Sequence, residues 1–247
     1  MKARFDATGN VIVITGAANG IGRALALACA TAGAQVIALD VDDREGETLQ
    51  DEHAQIEYSH LDVSDRAAVS WVFADILRRH GQIDGLVLAA AVQPRVPVQE
   101  TQPHTWQRVL DVNLNGVVWC YQAALPSMIA RRRGSVIAFS SGLASSGWPG
   151  ASAYATTKAA LTAFVKCAAK EVAMHRVRFN LIAPGVIDTS QYRTANAGRD
   201  DAHWQQTIGV GVADDVVGPL MFLLSDAASM TASLLSRDFA YPSHDDA

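Results

Sequence analysis

The sequence predicts an α/β protein, built on one doubly wound parallel sheet with helices on both faces. Short β-branched runs alternate with longer helical segments along the chain. The runs are apolar at every position, as in strands that are covered on both faces. A glycine-rich turn joins the first run to the first helix. Such alternation implies parallel strands with right-handed crossovers, and ligands of these sheets bind at the carboxyl ends of the strands.

The predicted elements follow one another in a regular order. Strands are expected at residues 11–14, 36–39, 56–60, 86–89, 136–139 and 178–182. Helices are expected at residues 20–32, 65–80, 103–132 and 152–174. Ser64 is the expected N-cap of the second helix, and Pro126 is expected to bend the third. No linker or internal repeat interrupts the series, so residues 1–247 are expected to form one domain.

Residues 188–208 differ from the rest of the chain. They are polar, contain Asn196 and Gly198, and show no clear period. A segment of about 20 residues exceeds ordinary connection lengths, which favours a functional lid that closes over a substrate.

Composition narrows the class of protein. The 247 residues are 49% hydrophobic and 18% charged, with a net charge of −5, which argues against binding to nucleic acid. The one basic run of three, residues 131–133, is typical of a solvated helix end. The N-terminus shows no signal peptide, and no apolar run approaches the roughly 20 residues that span a bilayer. A cytoplasmic protein that does not bind membranes is expected.

The cysteines and histidines indicate no disulfide or metal. Cys29, Cys120 and Cys167 are far apart and lie in apolar helical patterns. An odd count without a C-x-x-C pair favours a reducing compartment and buried thiols. The seven histidines are scattered, and no pair has the spacing of metal ligands on a helix.

The glycine-rich turn indicates a dinucleotide site. Gly16, Gly20 and Gly22 follow the first strand and open the first helix, so a pyrophosphate can approach the helix N-terminus. Asp40 ends the second strand, 18 residues after Gly22. Its carboxylate suits the ribose hydroxyls of an adenosine and repels a 2′-phosphate. Because Asn19 is not basic and more acid follows Asp40, NAD is favoured over NADP.

The second half of the chain indicates proton transfer. Tyr154 and Lys158 are four residues apart, so both side chains emerge on one face of a helix. Ser141 ends the preceding strand, at the edge where ligands collect. A phenol is a poor base at neutral pH and needs a nearby cation to stabilise its phenolate. A nucleophile elbow and a Walker motif are both excluded, because the required glycine and lysine are missing.

Six motifs in order resemble those of the short-chain dehydrogenase/reductase family, over nearly the whole chain. They are Thr15-Gly16-x-x-x-Gly20-Ile21-Gly22, Asp62-Val63, Val112-Asn113-Leu114, Ser140-Ser141, Tyr154-x-x-x-Lys158 and Pro184-Gly185-Val186-Ile187-Asp188-Thr189. The resemblance implies a single Rossmann-like sheet. It implies that Tyr154 is the acid/base, that Lys158 lowers its pKa and holds the nicotinamide ribose, and that Ser141 orients the substrate oxygen. Asn113 would position a water that relays protons.

The resemblance also implies a coenzyme site. Its expected members are Gly16, Asn19, Gly20, Ile21, Gly22, Asp40, Asp62, Val63, Ala89, Ala90, Tyr154, Lys158, Pro184, Gly185, Ile187 and Thr189. Two segments depart from the family. Ala89-Ala90-Ala91 replaces the usual Asn-Ala-Gly, and Met230-Thr231-Ala232-Ser233 lacks the usual Thr-Gly. The second change puts the last strand, and any subunit contact made through it, in doubt.

These features predict an NAD-dependent oxidoreductase that interconverts a secondary alcohol and a ketone. Two alternatives are a 3-oxoacyl thioester reductase that uses NADPH and a nucleotide-binding regulator that has lost catalysis. The expected substrate wall consists of Gln93, Pro94, Ser146, Trp148, Gln191, Tyr192 and Trp204. A homo-oligomer, dimer or tetramer, is expected through the helices at 103–132 and 152–174. Their small residues Ala123, Ala124, Ala159, Ala160 and Ala163 permit close packing.

Overall fold

Seven parallel strands form one sheet in the computed structural model, which describes residues 3–198, 204–205 and 209–237. The strands are β1 Val11–Thr15, β2 Gln35–Asp40, β3 Ile56–His60, β4 Gly85–Leu88, β5 Gly134–Phe139, β6 Val177–Ala183 and β7 Leu234–Ser236. Their order in space is β3-β2-β1-β4-β5-β6-β7, and each neighbouring pair is parallel. The order reverses between β1 and β4, so a crevice opens at the carboxyl ends of these strands.

Helices connect the strands. They are α1 Gly20–Thr31, α2 Asp43–Glu52, α3 Arg66–His80, α4 Pro103–Leu110, α5 Gly116–Arg131, α6 Leu143–Ser146, α7 Ser152–Val172, α8 Ser190–Ala195 and α9 Asp214–Leu224. Short 3₁₀ turns lie at Val98–Glu100 and Ala173–His175, and a π-helical segment lies at Asp111–Asn115. None of the described helices is both long and apolar enough to cross a membrane.

The core consists of two apolar clusters, one on each face of the sheet. Successive strand residues point to opposite faces. Along β1, Val11 and Val13 therefore pack into one cluster, and Ile12 and Ile14 pack into the other. Helices α3, α5 and α7 cover the first face, while α1, α2 and α9 cover the second. The predicted doubly wound α/β sheet is thereby confirmed.

Two predicted helix features differ in the structure. The N-cap of α3 is Asp65, not Ser64, because the Asp65 carboxylate accepts hydrogen bonds from the backbone N–H groups of Ala67 and Ala68. Ser64 instead donates its hydroxyl to Asp62, at 2.7 Å. The long helix expected at 103–132 is divided by the π-helical segment, while Pro126 lies inside α5.

The C-terminal strand forms although its glycines are missing. β7 pairs with β6 from Leu181 onward, and the backbone of Ala232 enters it with a left-handed φ of 59°. The Ala232 N–H donates to the Phe179 carbonyl at 2.9 Å. An alanine therefore occupies a conformation that glycine adopts at lower cost.

One thiol and one arginine differ from expectation. Cys29 and Cys120 are buried, but Cys167 is exposed on α7. Arg131 is not simply solvated at a helix end, because it pairs with the buried Asp84 at 2.7 Å. The same carboxylate accepts the backbone N–H of Val11 at 2.9 Å. Asp84 therefore joins the start of β1 to the end of α5.

Candidate active site

A cleft of about 700 Å³ lies at the carboxyl ends of the strands. Residues that follow the strands line it in turn, namely Gly16, Asp40, Asp62, Ala89, Ser140 and Pro184. Every residue of the expected coenzyme set lines it, namely Gly16, Asn19, Gly20, Ile21, Gly22, Asp40, Asp62, Val63, Ala89, Ala90, Tyr154, Lys158, Pro184, Gly185, Ile187 and Thr189. The sheet edge thus brings together motifs that are far apart in the chain.

The glycine-rich turn lies against the exit of β4. Gly16 has a left-handed φ of 69°, and a β-carbon there would lie 2.6 Å from the Ala90 nitrogen. The side chain of Asn19, the N-cap of α1, makes no hydrogen bond to the helix and donates to Asp42 at 3.2 Å instead. The first N–H groups of α1 therefore lack a side-chain cap and lie beside the cleft. Such a helix N-terminus suits an anionic group such as pyrophosphate.

The carboxylate of Asp40, at the end of β2, lines the cleft. One carboxylate oxygen of Asp40 accepts the Ala18 N–H at 2.9 Å, and the other accepts the N–H groups of Val41 at 2.7 Å and Asp42 at 3.2 Å. These bonds fix the carboxylate at the cleft wall and leave lone pairs for ribose hydroxyls. The negative charge disfavours a phosphate at this place.

Asp62 and Val63 form the wall beyond β3. Burial raises the pKa of Asp62, but hydrogen bonds from Ser64 and Arg108 outweigh it and hold the pKa below its usual range. Arg108 reaches this carboxylate at 2.9 Å. A β-carbon on Gly116 would lie 2.7 Å from a Val63 methyl carbon, so α5 packs directly behind this wall.

Asn113 lies behind the cleft rather than in its wall. It is fully buried in the π-helical segment. Its side-chain oxygen accepts the Val92 N–H at 2.8 Å, and its nitrogen donates to the Val92 carbonyl at 2.9 Å and to the Thr157 hydroxyl at 3.4 Å. Asn113 therefore connects the end of β4 with α7. Its partner on α7, Thr157, is the residue just before Lys158. Single-turn π segments are frequent at functional sites.

Ser141, Tyr154 and Lys158 meet in the cleft. Ser141 follows β5, and the other two residues lie on one face of α7. The Lys158 ammonium is buried, donates to the Phe139 carbonyl at 2.8 Å, and lies 5.5 Å from the centre of the Tyr154 ring. The strand end and the helix therefore place a hydroxyl, a phenol and a cation side by side.

The charges of these groups depend on burial. Burial raises the pKa of the Tyr154 phenol, while a hydrogen bond with Ser141 and the positive charge of Arg95 lower it. Burial also lowers the pKa of Lys158 to about 8. Ser141 and Arg95 only partly offset burial, so the pKa of the phenol stays above its usual value. The expected effect of Lys158 on Tyr154 stays a prediction.

The wall after β6 is fixed by neighbouring segments. Ile187 pairs with Gly211 in an isolated parallel bridge. Thr189 is the N-cap of α8 and accepts the Tyr192 N–H at 3.2 Å. Arg237, after β7, donates to the Pro184 carbonyl at 3.2 Å. The last strand therefore supports the coenzyme wall, a contact that the motifs do not reveal.

The expected substrate residues fall into two groups. Gln93, Ser146, Gln191, Tyr192 and Trp204 line the cleft, whereas Pro94 and Trp148 are not among its lining residues. Trp148 packs on Trp204 instead, with ring centres 4.8 Å apart. Within the expected lid, residues 190–195 form α8, while residues 199–203 and 206–208 lie outside the described part of the chain.

Sequence reasoning missed Arg95, which lines the cleft and acts on Tyr154. It lies in a connection without periodicity, between Pro94 and Pro97, so no pattern marks it. The one sign in the sequence is its position, because Arg95 comes six residues after Ala89, which belongs to the expected coenzyme set.

Comparison with known proteins assigns the chain to a family. A model of short chain dehydrogenases matches residues 10–200. The 3-oxoacyl-[acyl-carrier-protein] reductase of Thermotoga maritima is 34% identical, over 93% of this chain and 96% of that protein. The 2-keto-3-deoxy-L-fuconate dehydrogenase of Xanthomonas campestris is 36% identical, over 90% of this chain and 76% of that protein.

A solved structure agrees with these relatives. A short-chain dehydrogenase/reductase of Brucella melitensis, described as glucose/ribitol dehydrogenase, superimposes with a TM-score of 0.87 at 27% identity, covering 95% of this chain and 97% of that one. The family that the six motifs indicate is thus confirmed. The chain belongs to the short-chain dehydrogenase/reductase family and is an oxidoreductase that acts on CH–OH groups with NAD(P) as its coenzyme.

Proposed function

We propose that the protein is an NAD-dependent oxidoreductase that interconverts a secondary alcohol and a ketone, with Tyr154 as the acid/base. The observation that carries the proposal is the meeting of Tyr154, Ser141 and Lys158 in the cleft that the glycine-rich turn also lines. A reacting carbon held there has a proton carrier on one side and a coenzyme site on the other.

The residues of the cleft fit a nicotinamide dinucleotide. The uncapped N-terminus of α1 suits the pyrophosphate, and Asp40 at the end of β2 suits the adenosine ribose. Pro184, Gly185 and Ile187, which follow β6, line the same cleft as Tyr154. When bound, the nicotinamide accepts or supplies a hydride at its C4 carbon.

The side chains of the cleft handle the proton. In oxidation, the Tyr154 phenolate takes the proton of the alcohol while the Ser141 hydroxyl holds the same oxygen. Lys158 stabilises the phenolate, since a nearby cation favours the charged form. In reduction, Tyr154 returns the proton to the ketone oxygen. Asn113 acts as a positioning residue, because its side chain is bonded to Val92 and Thr157.

Replacing Tyr154→Phe tests the proposal. The variant keeps the ring and removes the proton carrier, so kcat/KM for oxidation of secondary alcohols is expected to fall by about 10² or more, with NADH binding retained. NADH formation across a panel of alcohols and NADH fluorescence measure the two quantities. Tyr121→Phe is the matched control, because the Tyr121 hydroxyl donates to the Ala168 carbonyl at 3.5 Å and Tyr121 is not among the residues that line the cleft. Full activity in Tyr154→Phe would refute the role.

A second candidate is a 3-oxoacyl thioester reductase that uses NADPH. The relative from Thermotoga maritima carries that name and matches 93% of this chain. The acid at the end of β2 argues against NADPH. The basic run that could meet an acidic carrier is partly occupied, since Arg131 pairs with Asp84 and Arg133 lies 3.5 Å from Asp226. Higher kcat/KM with NADPH and an acetoacetyl thioester than with NAD and alcohols would favour this candidate.

A regulator without catalysis is the remaining alternative. This alternative would be supported if calorimetry detected NAD binding and no alcohol or ketone were turned over. The joint presence of Ser141, Tyr154 and Lys158 in one cleft supports an active enzyme instead.

The remaining proposals concern the whole chain. We propose that it forms one catalytic domain in the cytoplasm, that the segment 188–208 acts as a lid, and that the protein is a homo-oligomer that assembles through α5 and α7. Ala159 and Ala163 are exposed on α7 and support such an interface, whereas Ala124 is buried in the core and cannot contribute to it.

A further inference from the structure

Arg95 is one of the charged residues that line the cleft. It follows β4 and lines the same cavity as Ser141 and Tyr154. Its backbone is held in place, because the next residue, Val96, donates its N–H to the Gly150 carbonyl at 2.9 Å. Gly150 leads into α7, the helix that carries Tyr154. The backbone next to Arg95 is therefore bonded to the segment that leads into α7.

The charged residues that line the cleft include carboxylates and cations. Among the described residues that line it, the carboxylates are Asp40, at the end of β2, and Asp62, after β3. Arg108 lines it too and pairs with Asp62 at 2.9 Å. The other two cations are Lys158, which is buried and donates to the Phe139 carbonyl, and Arg95, whose charge acts on Tyr154.

We propose that Arg95 binds a carboxylate of the substrate, so that the enzyme acts on a hydroxy acid and its oxo acid. This rests on the proposed function, because the carbinol carbon must lie at Tyr154. A planar guanidinium binds a carboxylate through two parallel hydrogen bonds, which are strong in a partly buried site. The single positive charge of one guanidinium neutralises the single negative charge of a carboxylate, but not the two negative charges of a phosphate dianion. The carboxylate takes no part in the reaction, and the bond fixes which carbinol reaches the phenol.

The surroundings of Arg95 suit such an anion. Gln93 and Gln191 line the same cleft and offer amide donors. Trp204 lines it as well and packs on Trp148, giving an apolar wall for the carbon skeleton. The charge of Arg95 also acts on Tyr154, so the guanidinium is close enough to sense the reacting group.

Binding without turnover provides the first test. The NADH-loaded protein is titrated with benzoate and with benzamide, which have the same ring and differ in charge. Benzoate is expected to bind at least about tenfold more tightly, and Arg95→Gln is expected to remove the difference while Arg95→Lys keeps part of it. Arg78→Gln removes an exposed arginine on α3 and is the matched control. Equal binding of the two probes, binding of neither, or retention of the preference in Arg95→Gln would overturn the proposal.

Turnover provides the second test and separates this proposal from the proposed function. Mandelate, 3-hydroxybutyrate and 4-hydroxycyclohexanecarboxylate are compared with their carboxamides. For the acids that are oxidised, kcat/KM is expected to exceed that of the amide by about tenfold or more, and Arg95→Gln is expected to abolish this ratio mainly through KM. Oxidation of acids and amides at equal rates overturns the carboxylate contact and leaves the alcohol dehydrogenase intact. Benzoate binding through Arg95 with no oxidation of any alcohol overturns the proposed function, and with it the hydroxy acid as substrate, while the carboxylate contact of Arg95 stands.

Discussion

Ala232 has a positive φ of 59° at the entrance to β7, where an L side chain is strained. The conformation persists because its N–H is bonded to Phe179 and because Ala232 packs against the core. Left-handed backbone costs a non-glycine residue roughly 1–2 kcal/mol, part of which glycine recovers. The missing glycine therefore weakens the last strand without preventing it.

Replacing Ala232→Gly is expected to raise the free energy of unfolding by about 0.5–1 kcal/mol, because relief of strain exceeds the added entropy of the unfolded chain. Urea unfolding followed by circular dichroism measures the change. Ala163→Gly, on the exposed face of α7, is the control with the opposite sign and is expected to destabilise by about 1 kcal/mol. A loss of stability in Ala232→Gly would contradict the strain.

A hydrogen bond with Ser141 opposes the rise in the pKa of Tyr154 that burial causes. Oxidation needs the phenolate, whose formation burial opposes and the Ser141 hydrogen bond favours. The rate of oxidation is therefore expected to rise with pH as Tyr154 loses its proton.

In Ser141→Ala this rise is expected at higher pH than in the wild type, because a group that lowers the pKa of Tyr154 is lost. At pH 7 the variant is expected to be at least about tenfold slower. Profiles of kcat/KM against pH with saturating NAD give both quantities. Ser70→Ala, on the exposed face of α3, should follow the wild-type profile. An unshifted rise in Ser141→Ala would show that the hydroxyl does not act on the phenol.

At the scale of elements, buried carboxylates and amides fix how the helices meet the sheet. Asp84 connects the start of β1 with the end of α5 through Val11 and Arg131. Asn113 connects the exit of β4 with α7 through Val92 and Thr157. Asn113 therefore fixes the sheet directly behind the cleft, whereas Asp84 fixes the opposite edge of the sheet, where the strands begin.

Asp84→Ala is expected to lower the free energy of unfolding by about 3–5 kcal/mol, because it leaves Arg131 and a backbone N–H without their buried partner. Asp226→Ala, which removes the partner of Arg133 at the surface, is expected to cost less than about 1 kcal/mol. A double-mutant cycle with Arg131→Gln separates the ion pair from the bond to Val11. Equal costs for the buried and exposed pairs would contradict the assignment.

The strands were predictable because buried parallel strands are apolar throughout, as in Val136 to Phe139 of β5. The helix α2 was not predicted, since its ten residues are mostly charged and bury only Gly46 and Leu49. The π-helical segment was not predictable either. Its residue Asn113 is bonded to Val92, 21 residues earlier in the chain, and the apolar pattern of residues 103–132 contains no sign of such a long-range contact.

The candidate site also has features that the sequence predicts and features that it does not. The glycines and the Tyr154–Lys158 spacing can be found in the sequence because local backbone and helix geometry requires them. The pKa values of Tyr154 and Lys158 cannot be found there, because both depend on burial and that of Tyr154 also depends on Arg95, which lies in a different connection. Motifs therefore predict which groups meet, whereas their protonation depends on packing.

At the scale of the whole molecule, α7 presents an exposed stripe opposite its catalytic face. Its members are Ala159, Ala163, Lys166, Cys167 and Lys170. The stripe begins at small residues that allow a second helix to approach closely. A homo-oligomer that covers it would stiffen the helix that holds the acid/base.

Ala163→Arg is expected to shift the protein toward the monomer, because a long charged side chain blocks close helix packing. Analytical ultracentrifugation of wild type and variant measures the shift. Arg78→Gln, on α3, is the control for an altered surface charge. A wild type that sediments as a monomer at all concentrations would rule out the assembly.

The contact between Trp148 and Trp204 has an optical consequence. Two indole rings whose centres lie 4.8 Å apart couple as chromophores and give a pair of bands of opposite sign in far-ultraviolet circular dichroism. Trp148 follows β5 and Trp204 belongs to the segment proposed as a lid, so the amplitude of these bands depends on the distance between the two. Following the amplitude after rapid mixing with substrate tests, without any added label, whether that segment moves.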